Sequence, residues 1–325
     1  MIIVVDEFFV ENPLVSVVIP SYNRSETVAQ TIGSIVNQKC DFAFEIIIGD
    51  DCSTDNARQV LLEYQKKYPT LIKLLFYEQN IGLGANWATC VKHCRGKYLA
   101  NCDNDDYWHN PNKLQFQVDF LETNLEYGVV HTDFRNHNRI TGKIQEVKVS
   151  DKELIKPLQL TIFTGKYQFC NATMMYRKEL IDKYIHLEDY IKHQFTLQDW
   201  NTWVILAKYT EFYCLPLSTA TFGVETDSIT RPATYDKIIS RFNKEKECYR
   251  YVCGLFPTEL IYNENAYDIY VNSVLLNLAY KRAEYKQVRK IAKIMYGLGD
   301  NSLRTSCSKC YLGFLLLFIF KFLRQ

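Results

Sequence analysis

The sequence has no apolar run long enough to read as a membrane-spanning helix. Its one extended apolar stretch, Tyr311 to Leu323, is shorter than the ~20 residues needed to cross a hydrocarbon core of about 30 Å. An excess of charge of either sign is also missing. Lys+Arg 38 against Asp+Glu 37 leave +1, which excludes a chain-wide positive field for nucleic acid, though not a local basic patch. Nucleic acid is therefore not an expected partner. A disulfide framework is absent too: the 11 cysteines are odd in number and scattered through apparent strands and helices, as in a reduced, cytosolic chain. Cys307-x-x-Cys310 has no second pair to complete a zinc site, and Cys90, His93 and Cys94 read as helix residues. Gly82-Leu83-Gly84 lacks the third glycine of a dinucleotide fingerprint and reads as a loop or helix entry. The opening Met1 to Val5 is followed at once by Asp6 and Glu7, too short an apolar run and wrongly flanked for a secretory signal.

What is present is material for a core. The hydrophobic fraction is 47% and aromatics make up 14%, which leaves no tract that composition assigns to disorder. A chain of 325 residues accommodates one large domain, or one domain with an appendage. Val15 to Pro20 is a β-branched run closed by proline, as in a strand buried on both faces of a parallel sheet. Ser25 to Gln38 carries Val28, Ile32, Ile35 and Val36 at helical spacing, with Ser25 as the expected N-cap. Phe44 to Gly49 repeats the strand signal and Ala57 to Tyr68 the helical one. Ile72 to Tyr77, Ala85 to Cys94 and Lys97 to Cys102 continue as strand, helix and strand. The expected fold class is α/β, a mostly parallel Rossmann-like sheet flanked by helices, with right-handed crossovers. Ligands of such sheets bind beyond the carboxyl ends of the strands, a rule that gathers Pro20-Ser21-Tyr22, Asp50-Asp51 and Asp103 to Asp106 at one edge.

Cys102-Asp103-Asn104-Asp105-Asp106-Tyr107-Trp108 places three carboxylates within four residues. Carboxylates so crowded repel one another and raise one another's pKa values, which favours a bound cation. Mg²⁺ and Mn²⁺ suit the position, because they are held by one or two protein carboxylates and keep other coordination positions for water or phosphates. Asp103-x-Asp105 is thus a candidate metal-diphosphate clamp, and a solvated acidic turn is the bland reading of the same pattern. Asp51, at the second strand end, is placed to accept hydrogen bonds from a nucleobase or ribose, or to cap the helix that follows.

Several motifs occur in a telling order: Val18-Ile19-Pro20-Ser21-Tyr22-Asn23, Glu45 to Asp55, Asn80-x-Gly82, Gly96-Lys97-Tyr98 leading to Asp103-Asn104-Asp105-Asp106, and Pro111-Asn112-Lys113-Leu114. Over roughly residues 13 to 230 this set resembles the family 2 glycosyltransferases. The resemblance implies a glycosyltransferase A fold, a nucleotide-sugar donor, a divalent metal (Mn²⁺ or Mg²⁺) and inversion of the anomeric centre. It also implies that Pro20, Tyr22 and Asp51 line the uridine pocket, with Asn23 beside them among the donor-binding residues. Asp103 and Asp105 would bind ribose and metal-diphosphate, with Asp106 sharing the metal.

Past the cluster, Leu114, Val118 and Leu121 keep helical spacing after Pro111, and Tyr127 to Phe134 is the next expected strand. Thr141-Gly142-Lys143 suits a hairpin turn, and Cys170 to Arg177 reads as a strand returning to the site with Met174 and Met175 in the core. Thr196 to Trp203 presents Asp199 ahead of an aromatic-rich helix, which by itself is an N-cap pattern. The resemblance makes Asp199 the general base, the carboxylate that an inverting single displacement needs beside the acceptor hydroxyl. Thr221 to Thr230 stands where the family often shows Tyr-Arg-x-His followed by Ser. Ser228 keeps its place, but Gly223 and Glu225 depart, so a basic contact to the diphosphate would have to come from Arg231 or Lys237.

Tyr235 to Tyr251, Glu259 to Lys281 and Glu284 to Met295 read as helices. The expected division is a glycosyltransferase domain over residues 1–235 and a helical region over residues 236–325. Tyr311 to Arg324 fits a buried core helix or, with terminal Lys321 and Arg324, an interfacial helix in peripheral contact with the cytoplasmic membrane face. The expected function is an inverting, metal-dependent transfer from a nucleotide sugar, a UDP-sugar before others, to a hydroxyl of a glycan or lipid-linked glycan, in surface polysaccharide biosynthesis. A sugar-1-phosphate nucleotidyltransferase shares the architecture, but needs a glycine-rich, basic signature where Ile19 to Asn23 stands. A non-catalytic nucleotide-sugar binding module would have Asp199 turned away from the metal edge.

Overall fold

β-branched runs buried on both sides make the parallel half of a single sheet. The computed structural model describes residues 2–5, 10–150, 156–164, 169–224, 234–282 and 284–297. The strands are Ile2–Val5 (β1), Val15–Ser21 (β2), Phe44–Asp50 (β3), Ile72–Tyr77 (β4), Tyr98–Asn101 (β5), Tyr107–Trp108 (β6), Tyr127–Asn138 (β7), Ile144–Val147 (β8), Met175–Arg177 (β9) and Glu211–Val224 (β10). They run in the order β1-β4-β3-β2-β5-β9-β7-β10-β6, with β8 pairing β7. The expected parallel sheet is the half β4-β3-β2-β5. Beyond β5 the pairing is mixed: β9 is antiparallel to both β5 and β7, while β7 and β10 are parallel.

Every residue of β2 is buried, because alternate side chains enter two cores. Val17 and Ile19, with Ile46 and Ile48 of β3, face helix α1 (Val28–Val36), which contributes Val28, Ile32 and Ile35, and helix α2 (Ala57–Lys67), which contributes Leu61. Val18 and Ile47 face the other way, toward Trp87, Ala88 and Val91 of α3 (Leu83–Lys92). That second core is completed by residues from α5 (Leu158–Phe163), α6 (Lys178–Tyr184), α7 (Leu187–His193) and α8 (Gln198–Leu206), while α4 (Lys113–Thr123) covers the first.

Two local expectations are corrected. Helix α1 starts at Val28 with Thr27 as its cap, not at Ser25: the N–H groups of Thr27 and Val28 bond back to Arg24 O, and Ser25 N–H bonds Asp55 Oδ2 (2.9 Å). The stretch Cys170 to Arg177 is not a continuous strand. Thr173 turns its Oγ1 and N–H onto Cys170 O (2.7 and 3.0 Å), winding Asn171–Thr173 into a 3₁₀ turn before β9 begins. The hairpin at Thr141 to Lys143 forms between β7 and β8, with Gly142 at φ 69°.

Helix α9 (Tyr235–Leu255) is followed by α10 (Glu264–Lys281) and α11 (Tyr285–Gly297). The described chain falls into two compact units. The first includes residues 247–260, whose Cys248, Val252, Phe256 and Leu260 join its core. The second holds residues 235–246 with α10 and α11, packed through Ile238, Phe242, Val271, Leu275, Leu276 and Ile291. No helix among the described residues is long and apolar enough to cross a membrane. The stretch 311–325, the Cys307/Cys310 pair and Arg231 lie outside the described residues.

Glu45, buried in β3, accepts hydrogen bonds from Ser16 Oγ (2.7 Å), Arg95 N–H (2.7 Å), Arg95 Nε (3.0 Å) and Arg95 Nη2 (2.8 Å). The Arg95 side chain is 42% exposed and can regain water, so the loss of its partner is partly offset. Glu45→Ala should destabilise by about 2 kcal/mol, less than the 3–5 typical of a wholly buried pair. A urea midpoint equal to that of the parent protein would show the carboxylate to be dispensable.

Candidate active site

Because β2 pairs with both β3 and β5, the loops after these three strands meet at one edge. Hydrogen bonds then tie them together. Asp51 N–H donates to Ser21 O (2.8 Å), and Asn104 Nδ2 donates to Ser21 Oγ (3.0 Å). From α1, Thr27 Oγ1 donates to Asn104 O (2.8 Å) and Thr31 Oγ1 to Asp106 O (2.6 Å). Asp106 N–H closes the acidic turn on Asp103 O (3.0 Å).

The three carboxylates of that turn have different surroundings. Asp103 is partly exposed, and Asn171 Nδ2 lies 3.3 Å from each of its oxygens. Asn171 is held by Asn101 Nδ2 (3.0 Å), and Asn101 by Trp87 Nε1 (3.2 Å). Burial pushes the Asp103 carboxyl up to about 7, the charges of Asp105 and Asp199 add to the rise, and Asn171 opposes it. Asp105, also partly exposed, receives Arg24 Nε on Oδ2 (3.3 Å), while Arg139 Nη2 donates to its main-chain oxygen (2.5 Å). Asp106 is buried: Oδ1 accepts Gly223 N–H (2.8 Å), and Oδ2 has no hydrogen-bond partner among the described residues. Burial, and then the charges of Asp105 and Asp103, hold its carboxyl well above the usual range.

Among the described residues no three His, Cys, Asp or Glu side chains converge as a protein-only metal cage. The turn offers two partly exposed carboxylates, with the unpartnered buried oxygen of Asp106 behind them. This donor set fits Mg²⁺ or Mn²⁺, ions that are content with one or two carboxylates and complete their shell from water or phosphate.

The other sequence-derived residues are distributed around this turn. Pro20 is buried in β2 opposite Gly49, whereas Tyr22 stands 45% exposed on the following loop. Asn23 adopts φ 48°, and its N–H and Oδ1 bond Ser53 Oγ (2.9 Å) and Thr54 N–H (2.8 Å), fastening the first loop to the second. Asp51 does not cap α2. Its two oxygens accept Ile81 N–H (2.6 Å) and Gly82 N–H (3.0 Å), shaping the entry to α3, where Gly82 takes φ 85°. Burial raises the Asp51 carboxyl, against the pull of those two donors. Asp199 is the second residue of α8, after the cap position Leu197, so the N-cap reading of its pattern does not hold. Its Oδ1 accepts Trp200 N–H (2.7 Å), and burial pushes its carboxyl up to about 6. Its charge adds to the rise of the Asp103 carboxyl.

Four contributors went unrecognised in the sequence: Asn171, Arg24, Arg139 and the reason for glycine at 223. Only Gly223 carried a visible signal, as a departure from the family pattern. A Cβ there would lie 2.4 Å from Asp105 O and 2.9 Å from Arg139 Nε, so β10 can reach the acidic turn only with glycine at this position. Lys237 lies on α9 in the second unit.

Residues 16–185, just over half of the chain, match the model of the family described as Glycosyl transferase family 2. The chain belongs to this family. An uncharacterised Mycobacterium tuberculosis protein, Rv1520, is 39% identical over 111 residues, which is 34% of this chain and 32% of the relative. WfgD of Escherichia coli, a UDP-Glc:alpha-D-GlcNAc-diphosphoundecaprenol beta-1,3-glucosyltransferase, is 34% identical over 146 residues, 44% of this chain and 55% of WfgD. The chain thus spans about a third to a half of the length of these curated relatives. S. aureus TarS 1-349, solved in complex with UDP-GlcNAc, superposes with a TM-score of 0.53 at 17% identity, covering 88% of this chain and 92% of that one. At that identity the likeness shows the fold, the glycosyltransferase A type.

Gly223→Ala should cost about 1–3 kcal/mol, because the added methyl meets the main-chain oxygen of Asp105 at 2.4 Å, which cannot swing aside as the Arg139 guanidinium can. Thermal unfolding of the variant checks this, and an unchanged midpoint would mean that the turn yields freely.

Proposed function

We propose that this family 2 protein is an inverting, divalent-metal-dependent glycosyltransferase that moves a sugar from a nucleotide-sugar donor to a hydroxyl of a glycan or lipid-linked glycan. The observation that carries the reading is the electrostatic influence of Asp199 on Asp103: a carboxylate from the start of α8 lies near enough to the acidic turn after β5 for its charge to add to the rise of the Asp103 carboxyl. A non-catalytic binding module has no need of that pairing. UDP-GlcNAc in TarS and UDP-Glc in the WfgD name support a UDP-sugar donor, and the diphosphoundecaprenol substrate of WfgD supports a lipid-linked acceptor in polysaccharide biosynthesis.

In this reading Asp103 and Asp105 hold the metal, with Asp106 behind them, while Tyr22, Pro20 and the loop shaped by Asn23 and Asp51 take the nucleoside. A bound divalent ion supplies charge neutralisation for the departing nucleoside diphosphate. Asp199 receives the proton of the acceptor hydroxyl, whose oxygen becomes a strong nucleophile only as that proton leaves. Partial burial suits the task, since a carboxylate of pKa about 6 stays ionised at neutral pH and is a stronger base than an exposed one.

Three outcomes follow. Asp105→Asn should abolish Mn²⁺-dependent binding of nucleoside diphosphate in calorimetry, and undiminished binding would remove the clamp. Asp199→Asn should keep donor affinity but lower kcat by about 10²- to 10⁴-fold; a near-normal kcat would place the base elsewhere. Because Asp199 must be ionised to act and its carboxyl is raised to about 6, kcat/KM should fall as pH drops through that value. A profile flat down to pH ~5 would contradict the assignment.

A further inference from the structure

Arg24 sits where the first loop and the acidic turn meet. Its backbone is pinned on both sides, by Asn23 N–H on Ser53 Oγ (2.9 Å) and by Ser25 N–H on Asp55 Oδ2 (2.9 Å). The side chain reaches Asp105 Oδ2 through Nε at 3.3 Å and Asn23 O through Nη1 at 3.4 Å. Both contacts are long. Arg24 and Asp105 are 30% and 21% exposed at their side chains, so solvent screens the pair and a stronger cation can displace it. Arg139 differs: it grips the main-chain oxygen of Asp105 and, through Nη1, Gln30 Oε1 (3.3 Å), leaving the Asp105 carboxylate open.

We propose that Arg24 acts twice: it is the counter-ion of Asp105 while no divalent cation is bound, and it becomes a ligand of the donor's diphosphate once a cation takes Asp105. The inference rests on the reading of Asp105 as a metal ligand. A divalent ion on Asp105 repels the neighbouring guanidinium, and the anion that the ion brings with it presents acceptor oxygens beside the same turn. The planar donor fork of arginine matches phosphate oxygens two at a time. The electrostatics agree, because three carboxylates with two arginines and one divalent ion carry a net charge near +1 when all are ionised, which suits a diphosphate. Arg24 would thereby supply a positive contact that neither Gly223 nor Glu225 can.

The test is calorimetry on the full chain with two probes, Mn²⁺ alone and, in saturating Mn²⁺, whichever of UDP, GDP, CDP or dTDP binds most tightly. Arg24→Gln should move the two affinities in opposite directions. Mn²⁺ should bind about two- to fivefold more tightly as a screened competitor is lost, and the nucleotide about 10- to 100-fold more weakly as charge-assisted bonds are lost. Arg139→Gln removes the same charge without freeing the Asp105 carboxylate, so it should raise Mn²⁺ affinity less. Arg24→Lys keeps the charge and should fall between Arg24→Gln and the parent protein, which also guards against a misfolded variant. If Arg24→Gln binds Mn²⁺ no more tightly than Arg139→Gln, or binds the nucleotide as well as the parent protein, Arg24 is only a structural neighbour of the turn. Asp105→Asn separates the two readings: if it retains Mn²⁺ and nucleotide binding, the metal-ligand reading itself fails and Arg24 loses its role with it.

Discussion

Crowding of three carboxylates at the end of one short strand is the constraint to which the surrounding elements answer. Left alone, Asp103, Asp105 and Asp106 would push the turn apart or take up protons. Instead, hydroxyls, amides and guanidinium groups converge on it from five directions. Thr27 and Thr31 of α1 hold its carbonyl groups, and Gly223 N–H from the end of β10 holds Asp106. Asn171 reaches Asp103 from the 3₁₀ turn, Arg24 reaches Asp105 from the first loop, and Arg139 arrives from the hairpin between β7 and β8. The turn is consequently rigid in its main chain and still anionic at its exposed face. That combination would suit a divalent ion, because its ligands would be positioned before it binds.

The same network explains why acids that look alike in the sequence have unlike duties. Asp51 spends both oxygens on the N–H groups of Ile81 and Gly82, so it shapes the entry to α3 and keeps only its remaining lone pairs for any other partner. Asp50, one residue earlier, points into the protein and pairs with Arg58, Oδ2 to Nε at 2.9 Å. Under the acidic turn, Lys113 is wholly buried with its Nζ on Gln117 Oε1 (2.7 Å) and 4.2 Å from the centre of the Trp108 ring. Burial pushes this ammonium down to about 7, while the ring and the amide favour its charged form. Gln117 in turn bonds Val130 O (3.2 Å) and Thr173 O (2.7 Å), which fixes α4 beneath both β7 and the turn carrying Asn171.

The parallel half of the fold was legible because its signals are local. β2, β3 and β4 are short, mostly apolar runs, and each lies within a residue of its expected limits. The positions of Asp51 and of Asp103 to Asp106 followed from the rule for strand ends. What escaped were interactions between segments far apart in the chain. Ser25 looked like the cap of α1, but Asp55, thirty positions later, takes its N–H. Asn171 resembled a strand residue, and nothing near it in the chain showed that its Nδ2 meets Asp103, 68 positions earlier. Gly223 read as a lost functional residue, whereas the approach of β10 to Asp105 is what forbids any side chain there. No periodicity encodes such contacts, because the partner that decides the conformation lies in another element.

In the proposed reading, the different loads on Asp103 and Asp199 distinguish a metal ligand from a base. Each is raised by burial, but Asp103 also feels Asp105 and Asp199, whereas Asp199 is relieved by main-chain N–H groups at the start of α8. A divalent ion placed among Asp103 and Asp105 reverses the first load directly, because it cancels the repulsion that raised the Asp103 carboxyl. The same ion stabilises the ionised form of Asp199 through space. In the proposed reading, binding of the metal with a diphosphate would therefore do more than hold the donor. It would draw Asp103 into its ionised, ligating form and favour the ionised form of Asp199, so that donor loading and readying of the proposed base would be a single electrostatic event.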